Sequence, residues 1–377
     1  MTGPHAEQRA RQGVTIAEVV ELLEYLAPPS LAPHDMPSGL QVGTLQEAVE
    51  TIVISPMPTR RAALRAAENR AALLITGMPL LCTPLNALRW DDPIGERIAY
   101  LTQHRISLYA LSSAFTTAPG GFDTNLAERL GLAATSVLVP AAAEAQVKFV
   151  VFVPLDAVDR VQRAACEAGA GVIGRYSHCA FRCPGTGTFL PEAGAHPTIG
   201  TVGQLEMVEE IRLEMLVPER EIKGVIAAVL EAHPYEEVAY DVYPLRNPGM
   251  VYGRGRIGEL PLHVSLDTVL AQVHDALGLD EDNRARVSHR PDRPIGTLAV
   301  ASGGDASEHL LYVAHRQGAD ALVIGSASPA DHVLADGLDT VLIEVGFAAS
   351  IAPGLQRLAS QLQDTFGPDG VKVLYIS

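Results

Sequence analysis

An α/β protein with a smaller inserted α+β domain is what this sequence predicts, and three observations carry the expectation. Short unbroken apolar runs, Leu73–Ile75 and Ala321–Ile324, stand between helical stretches, the pattern of parallel strands buried on both faces. Strands and helices alternate at both ends of the chain at the spacing of βα units. Between them, residues 146–245 read as β-α-β-β-α-β, the ferredoxin-like order.

Each element has a local reason. Thr15-Ile-Ala-Glu18 is a capping box that opens an amphipathic helix through about Leu26, stopped by Pro28-Pro29. His34–Gly43 reads as a Gly/Pro loop, Thr51–Ser55 as a strand, Thr59–Asn69 as a helix and Leu73–Thr76 as the next strand. Thr76–Pro79 turns the chain off the carboxyl end of that strand, the edge where open α/β sheets collect ligands. A helix at Asp92–His104, a strand at Ile106–Leu111 and a short helix at Asp123–Leu130 follow.

Within the central stretch, Lys148–Val153 is a strand and Asp156–Ala168 a helix. A Gly-rich ribbon at 171–203 leads to the alternating strand Glu206–Val217, then the helix Glu219–Ala232 and the strand Val238–Tyr243. Asn247–Gly258 reads as the linker out. Helix Leu266–Leu277, strand Thr297–Ala301, helix Ala306–Gln317, strand Ala321–Ile324, strand Thr340–Ile343, helix Pro353–Gln363 and strand Val371–Ile376 resume the first pattern. Ala71–Gly77 weakly echoes Ala319–Gly325, as one strand-to-turn unit used twice would. The expected domains are 1–140 and 250–377, forming one α/β domain from both ends, with 146–245 inserted.

Composition narrows the function classes. At 377 residues the chain exceeds one core, and 47% hydrophobic with 19% charged residues is globular. A net charge of −16, with no basic stripe, argues against nucleic acid. No apolar run approaches the ~20 residues of a membrane span, and the polar stretch at 1–13 has no apolar signal core. Cys82, Cys166, Cys179 and Cys183 form no CxxC pair, so reduced thiols and a cytoplasmic location are expected.

Several stretches together resemble a known family. Gly174–Cys179 (GRYSHC), Pro184–Phe189 (PGTGTF), Gly200–Gly203 (GTVG), His233–Glu237 (HPYEE) and Tyr240–Pro244 (YDVYP) are similar to the inserted domain of the long dinuclear-metal-centre hexameric proteins. These YbgI/YqfO-like proteins are often labelled GTP cyclohydrolase type 2 homologues, and their inserted domain is itself similar to CutA and PII folds. Gly39–Gly43 (GLQVG) and Ala118–Gly121 (APGG) match in the flanks. The resemblance implies a homohexamer and two divalent metal ions per chain.

The same resemblance places the family's metal ligands on Gly77, Met78, Ser112, Thr116, Phe347 and Ile351, where the family has His-His, His with Asp, and His with Glu. Two ions about 3.5–4 Å apart need carboxylate or imidazole ligands on both. The residues here offer neither, so no metal cofactor is expected. A slipped register is the competing explanation, but Pro79, Pro119 and Gly346 hold it in three loops.

Other candidates compete with plainer readings. His178, Cys179 and Cys183, with His196 and His233 downstream, have the chemistry of a zinc site, although packing accounts for them more simply. Gly185–Thr188 and Ser302–Asp305 are small-residue loops that could cradle an anion or merely turn. Ser112 and Ser113 follow a strand without a nucleophile elbow or a paired base. Asp35, Thr76, Ser112 and Glu344 would line any ligand pocket left near the metal positions. The expectation is a non-catalytic, metal-free family member, an oligomeric scaffold or small-molecule binder; a metal-dependent, GTP cyclohydrolase-like hydrolase with a relocated site is the alternative.

Overall fold

A computed structural model describes residues 13–32, 37–194, 198, 200–304 and 308–377. The chain divides into two compact units, Met1–Ala142 with Tyr252–Ser377, and Ala143–Val251.

The first unit opens with helix α1 (Ile16–Leu26), started as its capping box predicts: Thr15 N donates to the Glu18 carboxylate at 2.9 Å. One sheet combines β1 (Gly39–Val42), β2 (Thr51–Ser55), β3 (Leu73–Thr76), β4 (Ser107–Ala110) and the C-terminal β15 (Lys372–Tyr375), in the order β1-β4-β3-β2-β15. All neighbours run parallel except β1, which is antiparallel to β4. Every residue of β3 and β4 is buried, which explains their unbroken apolar character. Strand alternation sends Ile52, Ile54, Leu73 and Ile75 against α1 and α11 (Phe347–Phe366). Val53, Leu74 and Leu108 face α2 (Arg60–Glu68) and α3 (Pro93–Gln103) on the other side.

A second sheet comprises β5 (Ala133–Ala143), β10 (Val251–Val264), β11 (Arg286–Val287), β12 (Ile295–Ala301), β13 (Ala321–Ile324) and β14 (Val341–Glu344), in the order β11-β14-β13-β12-β10-β5. Its three central strands are parallel. Leu298, Val300, Val323 and Ile343 pack with α5 (Phe122–Arg129) and α8 (Leu266–Leu277). Ala299, Leu322 and Leu342 pack with α9 (Glu308–Arg316) and α10 (Pro329–Gly337). The short helix α4 (Ser112–Thr117) joins β4 to α5. The mixed α/β class expected from the sequence is the one observed.

The second unit holds β6 (Gln146–Pro154), α6 (Val158–Glu167), β7 (Ala180–Phe189), β8 (Glu206–Pro218), α7 (Ile222–Ala232) and β9 (Tyr240–Leu245). Its sheet is antiparallel throughout, in the order β7-β8-β6-β9. Phe149, Val151, Val153, Leu213, Met215 and Val217 meet Val161, Ala165, Val225 and Val229 of the two helices. Phe152, Glu210 and Arg212 alternate with these residues and so point to the opposite face.

Several readings change. The loop expected over 34–43 contains β1, because the Gly39-Leu-Gln-Val42 backbone completes the edge beside β4. The expected linker 247–258 is half strand: β10 starts at Val251, and a side chain at Gly253 would approach Val139 O of β5 to 2.2 Å. Glycine there permits close pairing and does not mark a hinge. β5 itself was not expected; it tolerates Pro140 as an edge strand. Gly185–Thr188 is neither loop nor turn but lies inside β7. Helix α11 begins at Phe347, with Pro353 inside it and not at its start. The short β11 and helix α10 were also not anticipated. Among the described residues, no helix is long and apolar enough to cross a membrane.

Candidate functional site

The carboxyl ends of β3 and β4 bring three of the six resemblance-derived positions together. Gly77 is buried, and its N–H donates to Ser55 O of β2 at 3.1 Å. Its carbonyl accepts from Ser112 N, also at 3.1 Å. A Cβ on Gly77 would lie 2.3 Å from Ile351 Cδ1 and 3.0 Å from Pro56 O. The isoleucine methyl therefore occupies the space that a side chain at position 77 would need. Ile351, on α11, is 1% exposed and belongs to the core under this sheet.

The other three positions differ in role. Met78 is half-buried and offers its carbonyl to the Thr76 hydroxyl at 2.8 Å. Thr116 is buried within α4. Phe347 lies over the loop after β12: Cβ atoms on Gly303 and Gly304 would stand 3.8 and 3.5 Å from its ring. Ser112 is strained as well as buried, with φ at +52°. The hydroxyls of Ser112 and Ser113 are buried without hydrogen-bond partners among the described residues. Among the described residues no base is hydrogen-bonded to either serine, as an activated nucleophile would require.

The neighbouring carboxyl edge, at β12, is polar and closed. Asp123, fully buried at the start of α5, accepts from Ser302 N at 2.7 Å, Ser302 Oγ at 2.5 Å and Gly255 N at 2.5 Å. Arg254 Nε lies 4.0 Å from its other side. Buried Arg256 donates to Gly253 O, Gly255 O and Thr124 Oγ1; burial lowers its pKa, while the nearby Asp123 charge acts in the opposite direction. Ser350 Oγ accepts from Gly303 N at 2.9 Å and donates to Phe347 O. The Ser302 and Gly303 amides, the donors of an anion-cradling loop, are thus engaged within the protein. Asp305 lies outside the described residues. Asp123, Arg256 and Ser350 were not singled out from sequence; a charged pair beside glycines in GGFD and GRGRIG is the signal that could have raised them.

Of the expected ligand-pocket residues, Thr76 and Ser112 stand close together, since Leu111 N bonds Thr76 O and Ser112 N bonds Gly77 O, while Glu344 ends a strand of the second sheet. Thr76 is fully buried, and its hydroxyl is engaged by Met78 O. Glu344 accepts from Ala327 N and lies 3.5 Å from Arg286 and 3.4 Å from His332, so its carboxylate ties β14 to β11 and α10. Asp35 lies outside the described residues. The zinc-like set disperses. His178 is exposed and contacts Ser177 Oγ, whereas buried His233 joins Phe152 O and Tyr235 N; His196 lies outside the described residues. Among the described residues, no three His, Cys, Asp or Glu side chains gather as a metal site would need.

Residues 14–377 match the Duf34/NIF3 (NGG1p interacting factor 3) family. The chain belongs to that family. A relative from Halalkalibacterium halodurans, named GTP cyclohydrolase 1 type 2 homolog, is 38% identical over 326 residues, covering 86% of each chain. A Bacillus subtilis relative of the same name is 36% identical over 308 residues, covering 82% of this chain and 81% of its own. The crystal structure of a Bacillus cereus protein related to NIF3 aligns with a TM-score of 0.86 at 35% identity, over 97% of both chains.

To hold the metal pair that the sequence resemblance implies, the six positions would have to supply imidazoles and carboxylates. They supply hydrogen, a thioether, two buried hydroxyls, a phenyl ring and a branched alkyl group. A hydroxyl or thioether cannot neutralise two divalent ions, and the Ile351 methyl excludes a longer side chain at 77 while it stays in place. These residues do not fit a metal pair.

Proposed function

We propose that this chain is a non-catalytic, metal-free member of the Duf34/NIF3 family that acts as an oligomeric scaffold or small-molecule binder. One observation carries the reading: the Ile351 methyl packs where a side chain at Gly77 would stand. Such a contact is what a site adapted to hydrocarbon packing requires, since apolar groups gain by excluding water.

Elemental analysis of the purified full chain tests the reading, with substoichiometric transition metal expected. Two equivalents per chain would overturn it in favour of a metal-dependent hydrolase, acting on GTP as the relatives' name suggests. The double substitution Gly77→His with Met78→His is expected to leave zinc affinity weak, because Ser112, Thr116, Phe347 and Ile351 still lack ligand atoms. Light scattering in EDTA is expected to give six times the 40.0 kDa chain mass, unchanged by the chelator. A monomer would end the scaffold reading, and dissociation on adding chelator would point to a structural metal.

A further inference from the structure

We propose that the second unit binds a small organic cation, a primary or secondary ammonium on a body about the size of a phenyl ring, in the cavity between the open face of its sheet and residues 233–239. This site is independent of the Gly77 and Ile351 region.

The cavity holds about 390 Å³, within the range of small-molecule sites. Its walls include Phe152 of β6, Phe189 of β7 and Tyr235, while Glu210, Glu236 and Glu237 supply the charge. No Lys, Arg or His stands among its described lining residues. Arg212, whose guanidinium lies 5.8 Å from the Phe152 ring centre, is already paired with Glu214 at 2.8 Å.

Two features make this a built site. The first is the seating of Glu210. A Cβ on Gly187 would fall 2.2 Å from Glu210 Oε2, so the missing side chain in Pro184-Gly-Thr-Gly-Thr-Phe189 is what lets the carboxylate lie over β7. The second is Tyr235. Its hydroxyl is shielded from solvent beside the Glu210 carboxylate, and the phenol oxygen can still accept a hydrogen bond from a ligand. Burial foremost, then the Glu210 charge and a hydrogen bond to that carboxylate, push its pKa up to about 12, so it stays a neutral phenol. An ammonium can donate to both the phenol oxygen and the Glu210 carboxylate while its apolar body contacts the aromatic walls. A neutral alcohol lacks the charge, and a carboxylate would be repelled by the glutamates.

The wall is also held in place before any ligand arrives. His233 joins Phe152 O through Nε2 and accepts Tyr235 N at Nδ1, both at 3.1 Å, and its ring meets the Tyr235 ring edge-on at 5.0 Å. Phe152 N in turn donates to Ala239 O. Fixing the wall in advance lowers the ordering cost of binding.

Calorimetry on the full chain with phenethylammonium, 2-phenylethanol and phenylacetate tests the proposal. The ammonium is expected to bind about tenfold or more tighter than the alcohol, and the carboxylate weakest. Glu210→Gln is expected to abolish the preference of ammonium over alcohol, and Tyr235→Phe to weaken ammonium binding several-fold. In the unaltered chain, hydrogen exchange with phenethylammonium should slow in β7 and 233–239, a readout that stands even if a variant fails to fold. Equal affinity for ammonium and alcohol, preference for the carboxylate, a preference that survives Glu210→Gln, or no binding at millimolar concentration would each overturn the proposal.

Discussion

The two sheets of the first unit repeat one plan and finish it differently. In each, three parallel strands stand side by side, β2-β3-β4 and β12-β13-β14, with a short antiparallel strand, β1 or β11, on the outer side of the third. Ser55, Thr76 and Ala110 align across the first sheet as Ala301, Ile324 and Glu344 do across the second. The exits match: Gly77 N bonds Ser55 O as Gly325 N bonds Ala301 O, and Leu111 N bonds Thr76 O as Val345 N bonds Ile324 O. The next residue is left-handed in both, Ser112 at φ +52° and Gly346 at +89°. The carboxyl edges nevertheless diverge. One is held by the buried Asp123, Ser302 and Ser350 network, the other by a methyl against a glycine with two buried hydroxyls unpaired. A shared backbone plan therefore leaves the chemistry of its edge free to change, because strand pairing depends on main-chain groups and the edge depends on side chains.

Substitutions at matched positions can break or sharpen this comparison. The largest effect is expected from Asp123→Ala, which leaves the Ser302 and Gly255 donors unsatisfied and Arg256 buried without its nearby charge; about 3–5 kcal/mol is expected. Urea unfolding, with exchange measured on β12 peptides, checks it, and a loss below 1 kcal/mol would show that the polar edge is dispensable.

The matched glycines come next. On Gly325 a Cβ would meet backbone, Gly303 O at 2.0 Å, whereas on Gly77 the severe contact is the tip of Ile351 at 2.3 Å, with Pro56 O farther off at 3.0 Å. Gly325→Ala should cost more than Gly77→Ala, within about 1–3 kcal/mol. Ile351→Val, which removes that tip, should rescue Gly77→Ala and leave Gly325→Ala unrelieved. A double-mutant cycle without coupling between 77 and 351 would contradict the packing described.

Smaller still is the left-handed position. Gly346→Ser should destabilise by about 1 kcal/mol, and Ser112→Gly should stabilise by up to a similar amount, since it relieves positive φ and removes an unpaired hydroxyl. Opposite signs in the two melting temperatures are the check.

The smallest difference depends on pH. Asp320 stands where the first sheet has Ala72; each bonds back to its neighbouring strand, at Thr297 O and Thr51 O. Burial would raise the Asp320 pKa, but Thr297 N, Gly296 N and Arg293 outweigh it and hold the carboxyl below its usual value. A depressed folded-state pKa gives stability that is present above the unfolded value of about 3.9 and lost as pH falls through the folded one. Acid should therefore open β12 and β13 before β2 and β3 by exchange, and Asp320→Ala should remove that difference.

Much of this was legible in the residues. The echo between Ala71–Gly77 and Ala319–Gly325 falls on the matched strands and turns, because a parallel strand covered on both faces must be apolar at every position. Thr15 with Glu18 marked the start of α1 because a cap is a local contact. β10 was hidden because the glycines of GRGRIG read as a linker, and β5 because its Pro140 and exposed edge position leave no buried apolar run; an edge and a close backbone approach make these residues acceptable there. Phe347–Ala352 was missed as helix because Pro353 looked like a first turn; packing of Ile351 and the Ser350 hydrogen bonds extend the helix past it.

The sequence by itself determined the buried parallel strands with most of the helices around them, the mixed α/β class and the residue types at the six positions, since these follow from local periodicity and side-chain chemistry. Tertiary structure alone decided that Gly77 and Ile351 share one space, that Asp123 closes the edge beside them, and that Gly187 seats Glu210 in a cavity. The first contact joins residues 77 and 351, and the second 123 and 302; no window of sequence spans such separations, and which residues meet there is set by how sheets and helices pack.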